Sequence, residues 1–342
     1  MDTALQTALS GGLSSASGFH SNKPNPVDPE HAGKNVLPQS FCPGPKDRVS
    51  FPAAKGEVKA SHISIGGWSW GDKPTWHYDE SEWIKIQEAW QTLYDSGINF
   101  IDTAEAYGNG ESEKIVGDLV RGLPRDSVVV QTKYFSTPLK AANFIHPVDA
   151  PVISLKASLE RMRLTHSIKS VAEGMAKCVE QGLARAVGVA NYDDDGVFQM
   201  RDELSRYDIP LATNQCEFNV LRRYPEVSGN IGRCRDAGLL TGKYTPDNPP
   251  PKEYRFSSYD MKDIEPTIAT LREIAERRGK SVASVSLNYN IGKGVVPVVG
   301  VRKVEQARDA IDALGWRLTE EEMTAIDRVS VEGKTTSLWQ QG

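Results

Sequence analysis

Over residues 60–330 of this chain, short strand-like stretches alternate with longer stretches in which apolar positions have helical spacing. Three short stretches are predicted to be strands: the apolar runs at residues 98–102 and 128–133, and residues 61–66, which lead into a loop rich in Gly and Trp. Between them, residues 79–96 and a stretch from about residue 110 to 120 repeat apolar positions at three and four, which predicts amphipathic helices. Gly97 is placed to end the first helix, and Ser112 is expected to cap the start of the second. The strand–helix alternation predicts a parallel sheet or barrel.

The second half continues this alternation but interrupts it twice. Further strands are predicted at residues 184–191, 210–215 and 295–299. Further helices are predicted at residues 153–165, 167–181, 198–206, 229–237, 264–278, 281–291, 304–313 and 319–329. No strand is predicted around His166, where two helices meet, and none before the loop that begins at Gly238. We therefore count six strands, with strand-sized gaps before Ser167 and before Gly238.

The N-terminal stretch shows neither period. Residues 1–57 are rich in Ser, Gly, Pro and Asn, so we predict a disordered tail followed by one domain over residues 58–342. Transit peptides are Arg-rich and poor in acids, whereas this stretch has no Arg before Arg48 and carries Asp28 and Glu30. A plain tail is the preferred interpretation, and a targeting peptide stays open as the alternative.

Composition narrows the class of protein. The chain has 342 residues, a quarter of them charged, and a formal net charge of −5, which argues against a broad nucleic-acid surface. No apolar run reaches the length of a membrane span. Four cysteines lack the spacing of a disulfide framework or a zinc site, so we expect reduced thiols and a cytoplasmic protein: Cys42, Cys178, Cys216 and Cys234. The oligomeric state is left open.

Candidate chemistry lies at the ends of two predicted strands. The strand at residues 98–102 ends in Asp102, Tyr107 follows in the next loop, and Lys133 ends the third strand. Polar residues at the carboxyl ends of parallel strands are where α/β folds place their active sites. Taken alone, a capping Asp102 beside a packed Tyr107 is an equally good interpretation, and a lone Lys133 reads more simply as a surface residue.

Several motifs together resemble the aldo-keto reductase superfamily over about residues 60–330. The motifs that carry the resemblance lie at residues 97–108, 128–133, 182–192, 238–244 and 296–307. The resemblance implies an α/β fold of the (α/β)8 TIM barrel type and the reduction of an aldehyde or ketone by NADPH, without a metal. It also implies a small-molecule carbonyl substrate, with no nucleic-acid or membrane partner.

The resemblance assigns roles to three side chains. Hydride delivery to a carbonyl builds negative charge on its oxygen, so the site needs a proton donor and positive groups nearby. Tyr107 matches the family's proton donor. Lys133 matches the cation that makes a phenol acidic enough, and Asp102 matches the carboxylate that holds this lysine.

The resemblance also implies a binding site for NADP(H). The implied cofactor-binding residues are Gly67, Trp68, Asn191, Gln215, Gly238, Leu239, Gly242, Gly300, Arg302, Gln306 and Asp309. Asn191 and Gln215 match positions that bind the carboxamide of the nicotinamide. Arg302 would pair with a 2′-phosphate, which favours NADP over NAD. Ala190 and Asp309 depart from the residues that many relatives have there.

Two larger departures concern the gaps in the strand pattern. The family's fourth catalytic residue is a His at the end of barrel strand 4, and His166 is a poor match for it. The barrel is therefore predicted to be incomplete, with strands 4 and 7 missing or disrupted. A gene model or splice form that lost two short pieces, a degenerate relative, or hidden short strands would each explain the gaps.

These gaps keep a second function open. A catalytically impaired or inactive relative would serve as a cofactor-binding or regulatory module. The substrate is not readable from the sequence, although four aromatic residues are candidates for an apolar wall and equally for core packing: Trp68, Trp70, Trp76 and Tyr78.

Overall fold

The computed structural model describes residues 32–33, 36–134, 168–192, 194–221, 223, 226, 235–236 and 261–331. The strands are β1 Arg48–Pro52, β2 Glu57–Ser61, β3 Ser64–Gly66, β4 Phe100–Asp102, β5 Val129–Gln131, β6 Val187–Ala190, β7 Leu211–Gln215, β8 Arg235–Asp236 and β9 Val298–Gly300. The α-helices are α1 Lys73–Trp76, α2 Trp83–Ser96, α3 Glu111–Val120, α4 Ile168–Glu180, α5 Asp194–Ser205, α6 Met261–Arg278, α7 Val282–Gly292, α8 Val304–Asp312 and α9 Glu320–Val329. Short 3-10 turns cover Glu80–Glu82, Tyr107–Gly110 and Arg125–Ser127.

An antiparallel hairpin precedes the parallel strands. β1 pairs with β2 over five residues, from Arg48 opposite Ser61 to Pro52 opposite Glu57. Phe51 of β1 packs against Phe100 of β4, with ring centroids 5.9 Å apart. The predicted disordered tail is therefore wrong for residues 48–57, because this strand gains its apolar contacts from residues far along the chain. Residues 1–31 and 34–35 of that tail lie outside the described residues, and the domain boundary otherwise stays a prediction.

The central sheet is parallel and contains five strands in the order β5–β4–β3–β9–β8. Gly66 lies opposite both Asp102 and Gly300, and Asp102 lies opposite Gln131. The carboxyl ends of four strands thus meet at one edge. β6 and β7 form a second parallel pair. This strand order is consistent with a TIM barrel in which β6 and β7 lie between β5 and β8.

The strand predicted to be missing before Gly238 has a counterpart in the structure. β8, Arg235–Asp236, pairs in parallel with Val298 and Val299 of β9. The helix predicted for residues 229–237 is therefore wrong at these two positions, and the loss of a seventh strand is not confirmed. A two-residue strand is too short to show a period of its own. The gap before Ser167 lies outside the described residues.

Helices cover the sheet and enclose separate apolar clusters. α2 and α8 pack together over β3 and β4, and buried Ile86, Trp90 and Leu93 of α2 belong to the largest cluster. α6, α7 and α9 enclose a second cluster, and α4 and α5 pack on β6 and β7. In the described part of the chain, no helix is both long and apolar enough to cross a bilayer.

Candidate active site

The structure brings the three predicted catalytic side chains into one hydrogen-bonded group. Asp102 ends β4, Lys133 lies just beyond β5, and Tyr107 begins the 3-10 turn that follows β4. The Lys133 ammonium donates to Asp102 Oδ1 at 2.6 Å, to the Thr103 carbonyl at 2.9 Å and to Tyr107 Oη at 3.3 Å. An ammonium has three N–H donors, so this arrangement uses all of them.

Burial makes the pair of Asp102 and Lys133 a strong one. The Asp102 side chain is 0% exposed and that of Lys133 is 20% exposed. A buried carboxylate is costly unless a cation and hydrogen bonds compensate it, and the Lys133 ammonium supplies both to Asp102. Asp102 Oδ2 is buried and has no hydrogen-bond partner within the described ranges.

Gln131 is a site residue that sequence reasoning missed. Its Nε2 donates to Asp102 Oδ1 at 3.0 Å and to Gln215 Oε1 at 3.2 Å. It therefore links β4, β5 and β7 at their carboxyl ends. Its spacing in the sequence could have revealed it. Residues two apart in a strand share a face, and Gln131 precedes Lys133 by two, so both side chains are expected on the same side of the strand.

The Tyr107 ring contacts Trp68 on one side of the site. The two rings stack at 5.6 Å with an interplanar angle of 20°, and Lys133 Nζ lies 5.0 Å from the Tyr107 ring centroid. Trp68 also contacts Trp76 edge-on at 5.7 Å. Trp70, another candidate for an apolar wall, is buried in the core and donates its indole N–H to the Val301 carbonyl at 2.7 Å. Trp68 and Trp76 thus lie at the site, and Trp70 does not.

Ser112 has a different role from the predicted helix cap. Gly110 is the N-cap of α3, and Ser112 lies buried inside the first turn. Ser112 Oγ donates to the Gly67 carbonyl at 2.7 Å and lies 2.7 Å from Thr103 Oγ1. The prediction failed because burial gives this hydroxyl partners on two strand-end loops. It holds the loop after β3 against the loop after β4.

The described candidates for carboxamide binding lie side by side. Asn191 follows β6 and Gln215 ends β7, and the Asn191 N–H donates to the Gln215 carbonyl at 2.8 Å. Gly300 ends β9, and a Cβ atom added there would meet open space. Gly67 and Gly300 therefore share the strand-end edge with Asp102. Gly238, Leu239 and Gly242 lie outside the described residues.

Arg302 forms an ion pair that the sequence did not predict. Its Nε donates to Glu82 Oε2 at 2.7 Å, its Nη2 donates to Glu82 Oε1, and its Nη1 donates to the Trp76 carbonyl at 3.1 Å. Gln306 accepts from the Arg302 backbone N–H at 2.8 Å. Asp309 uses its carbonyl to accept from Ser284. Glu82 precedes Arg302 by 220 positions, so no local pattern could reveal the pair.

Within the described ranges, neither a metal site nor a disulfide accompanies this group of side chains. No cluster of three or more His, Cys, Asp or Glu side chains there is arranged to hold a metal ion. Among the described residues, Cys42, Cys178 and Cys216 form no disulfide with one another. Cys234 and His166, the poor match for the catalytic His, lie outside the described residues.

Comparison with known proteins assigns the family. The family model "Aldo/keto reductase family" matches residues 62–331. The chain belongs to this family of oxidoreductases, which confirms the resemblance found in the sequence. The chain is 30% identical to the chloroplastic pyridoxal reductase of Arabidopsis thaliana, over 81% of this chain and 85% of the relative. It is 26% identical to the L-glyceraldehyde 3-phosphate reductase of Escherichia coli (strain K12), over 72% and 84%.

Solved structures support the fold. A glycerol dehydrogenase from Gluconobacter oxydans superposes with a TM-score of 0.64 at 24% identity, covering 84% of this chain and 98% of that one. An aldo-keto reductase from Klebsiella pneumoniae, solved in complex with NADPH, superposes with a TM-score of 0.62 at 22% identity, covering 87% and 99%. At these identities the likeness establishes the α/β architecture alone.

Proposed function

We propose that this protein is an NADPH-dependent oxidoreductase that reduces an aldehyde or ketone to an alcohol. The observation that carries the proposal is the contact of one partly buried lysine with both a carboxylate and a phenol. Lys133 Nζ lies 2.6 Å from Asp102 Oδ1 and 3.3 Å from Tyr107 Oη. Substrates would be small carbonyl compounds, and the cytoplasmic location stays a prediction.

The reaction divides between the cofactor and the side chains. Bound NADPH supplies the hydride. Tyr107 donates a proton to the carbonyl oxygen as negative charge develops there. Lys133 stabilises the charge left on the phenol oxygen, because its ammonium donates to that oxygen at 3.3 Å. Asp102 holds the ammonium in place through the 2.6 Å hydrogen bond.

The described residues suit a dinucleotide at the strand ends. Asn191 and Gln215 offer amide donors and acceptors for a carboxamide, and their backbones are joined by a 2.8 Å hydrogen bond. Gly300 leaves open space where a side chain would stand, so a ligand can approach the backbone there. Arg302 supplies the guanidinium that favours a 2′-phosphate. The NADPH complex of the Klebsiella pneumoniae relative supports the same cofactor.

Turnover is the direct test of the proposal. NADPH oxidation should be followed with a panel of aldehydes and ketones that includes pyridoxal and glyceraldehyde 3-phosphate, because similar relatives are named for these compounds. Loss of a general acid costs about 10²–10⁴-fold, so Tyr107→Phe should lower kcat by at least about 100-fold without weakening NADPH binding. Tyr94→Phe is the matched control, because Tyr94 Oη donates to Ser127 Oγ, away from the site.

The outcomes separate the proposal from its alternative. Equal rates for the wild type and Tyr107→Phe would overturn the catalytic assignment. NADPH binding without turnover of any carbonyl in the wild type would instead support the cofactor-binding or regulatory module.

A further inference from the structure

The ion pair between Glu82 and Arg302 bears on the choice between the two nicotinamide cofactors. We propose that Glu82 is a specificity-determining residue that competes with the 2′-phosphate of NADPH for the guanidinium of Arg302. The inference rests on the proposed function, because it takes Arg302 as the residue that meets this phosphate. Under it, the carboxylate of Glu82 weakens binding of NADPH and leaves binding of NADH unchanged.

The geometry of the pair makes the competition direct. A guanidinium binds carboxylates and phosphates through two parallel N–H···O bonds along one edge. Glu82 already occupies the edge formed by Nε and Nη2 of Arg302 with both of its carboxylate oxygens. On the far side, Nη1 donates to the Trp76 carbonyl at 3.1 Å. A phosphate that takes the bidentate edge must therefore displace Glu82.

The charge of the pair acts in the same direction. The side chains of Arg302 and Glu82 are 25% and 19% exposed, so water screens their attraction only in part. An approaching 2′-phosphate meets a neutral pair instead of a lone cation. Lys303, the next residue along the chain, points its ammonium to within 3.9 Å of Glu305 and is itself well exposed. The 2′-hydroxyl of NADH needs no cation, so it leaves the pair intact.

Local structure holds Glu82 in place independently of Arg302. Glu82 is the last residue of the 3-10 turn Glu80–Glu82, and its Oε1 accepts from the Asp79 N–H at 3.3 Å. The Asp79 side chain in turn accepts from the Ser81 N–H at 2.9 Å. This reciprocal cap fixes the carboxylate beside Arg302 before any ligand arrives. Glu82 is thus a preorganised competitor.

The test replaces the charge and keeps the shape. Glu82→Gln retains the length of the side chain and an oxygen that can accept from Asp79. Glu80→Gln is the matched control, because Glu80 lies on the same turn, is 73% exposed and pairs with Lys73. Binding is measured by fluorescence titration with NADPH and NADH and by calorimetry with 2′,5′-ADP and 5′-ADP, which carry the adenosine end alone.

Glu82→Gln should tighten binding of NADPH and 2′,5′-ADP by about tenfold and change NADH and 5′-ADP by less than about twofold. Glu80→Gln should change all four by less than about twofold. An unchanged or weakened NADPH affinity in Glu82→Gln overturns the inference. If the wild type binds neither NADPH nor NADH, the proposed function is overturned. That result is distinct from an unchanged or weakened NADPH affinity in Glu82→Gln.

A second variant keeps the inference testable if Glu82→Gln does not fold. Thermal melting by circular dichroism reports whether Glu82→Gln retains the fold. If Glu82→Gln unfolds, Glu82→Asp is the second variant. It keeps a carboxylate at this position, but the side chain is one methylene too short for the bidentate contact. The inference then requires Glu82→Asp to favour NADPH over NADH more than the wild type does, and an unchanged preference contradicts it.

Discussion

A buried cluster of five ionisable side chains should control the stability of the domain. The cluster joins α7, α9 and the chain near residue 223, and its members are Arg223, Glu226, Tyr289, Lys293 and Asp327. Lys293 Nζ donates to Glu226 Oε1 and to Asp327 Oδ2, each at 2.9 Å. Burial raises the pKa of Tyr289 well above its usual value, so its hydroxyl stays protonated and donates to Asp327 Oδ1 at 2.6 Å. Among the described residues, two cations thus face two carboxylates in this cluster.

Removing one cation from this cluster would leave its buried carboxylates with less positive charge to compensate them. Lys293→Met keeps most of the aliphatic stem but removes the cation that contacts both Glu226 and Asp327. Breaking a buried pair by deleting one partner costs about 3–5 kcal/mol, because an uncompensated buried charge remains. The free energy of unfolding of ordinary domains is about 5–15 kcal/mol, so about a fifth or more of the total would be lost.

A second lysine provides the matched control. Lys280 Nζ lies 2.6 Å from Asp312 Oδ1, and the two side chains are 26% and 45% exposed. Water replaces this pair at little cost, so Lys280→Met should lower the free energy of unfolding by about 1 kcal/mol or less. Urea unfolding followed by circular dichroism gives both values. Similar losses for the two variants would refute the reasoning, because burial would then not set the cost.

Two further predictions concern the loop beside the site and the hairpin. Gly71 has φ +76° and an added Cβ would lie 2.4 Å from the Cβ of Glu111, so Gly71→Ala should lower Tm more than Gly56→Ala, where φ is +72° and the space is open. Burial lowers the pKa of His62 from 6.5, against the opposing effect of Asp47, so stability falls as the pH drops below that value. His62→Phe should reduce this loss in thermal melts at about pH 7.5 and 5.5.

Locally encoded features were predictable from the sequence. The helix expected at residues 79–96 has its α-helical part at Trp83–Ser96 and ends at Gly97, whose φ of 108° suits a glycine. The strand that ends in Asp102 and the lysine beyond the next strand were placed from short apolar runs. Such features depend on neighbours within one or two turns, so a single sequence shows them.

Features made by distant partners were not predictable. β1 lies in a stretch without an evident period and is a strand because it pairs with β2 and packs on Phe100. β8 is defined by its pairing with β9, more than 60 positions later. Ser112 has the composition of a cap, yet it is buried between Gly67 and Thr103. Sequence patterns report propensity, whereas tertiary contacts decided these three cases.

Burial also separates the two ion pairs of the site into different kinds. The Asp102 side chain is 0% exposed, so its carboxylate depends on Lys133 and Gln131 for compensation, and the three N–H donors of the Lys133 ammonium, which is itself 20% exposed, are already used. Arg302 and Glu82 are each about one-fifth to one-quarter exposed, so an incoming anion can replace the carboxylate. The first pair therefore suits a fixed role in positioning a proton donor, and the second suits a site where one anion exchanges for another. In the sequence each pair is a basic and an acidic residue far apart, and the burial of the carboxylate, complete for Asp102 and partial for Glu82, distinguishes them.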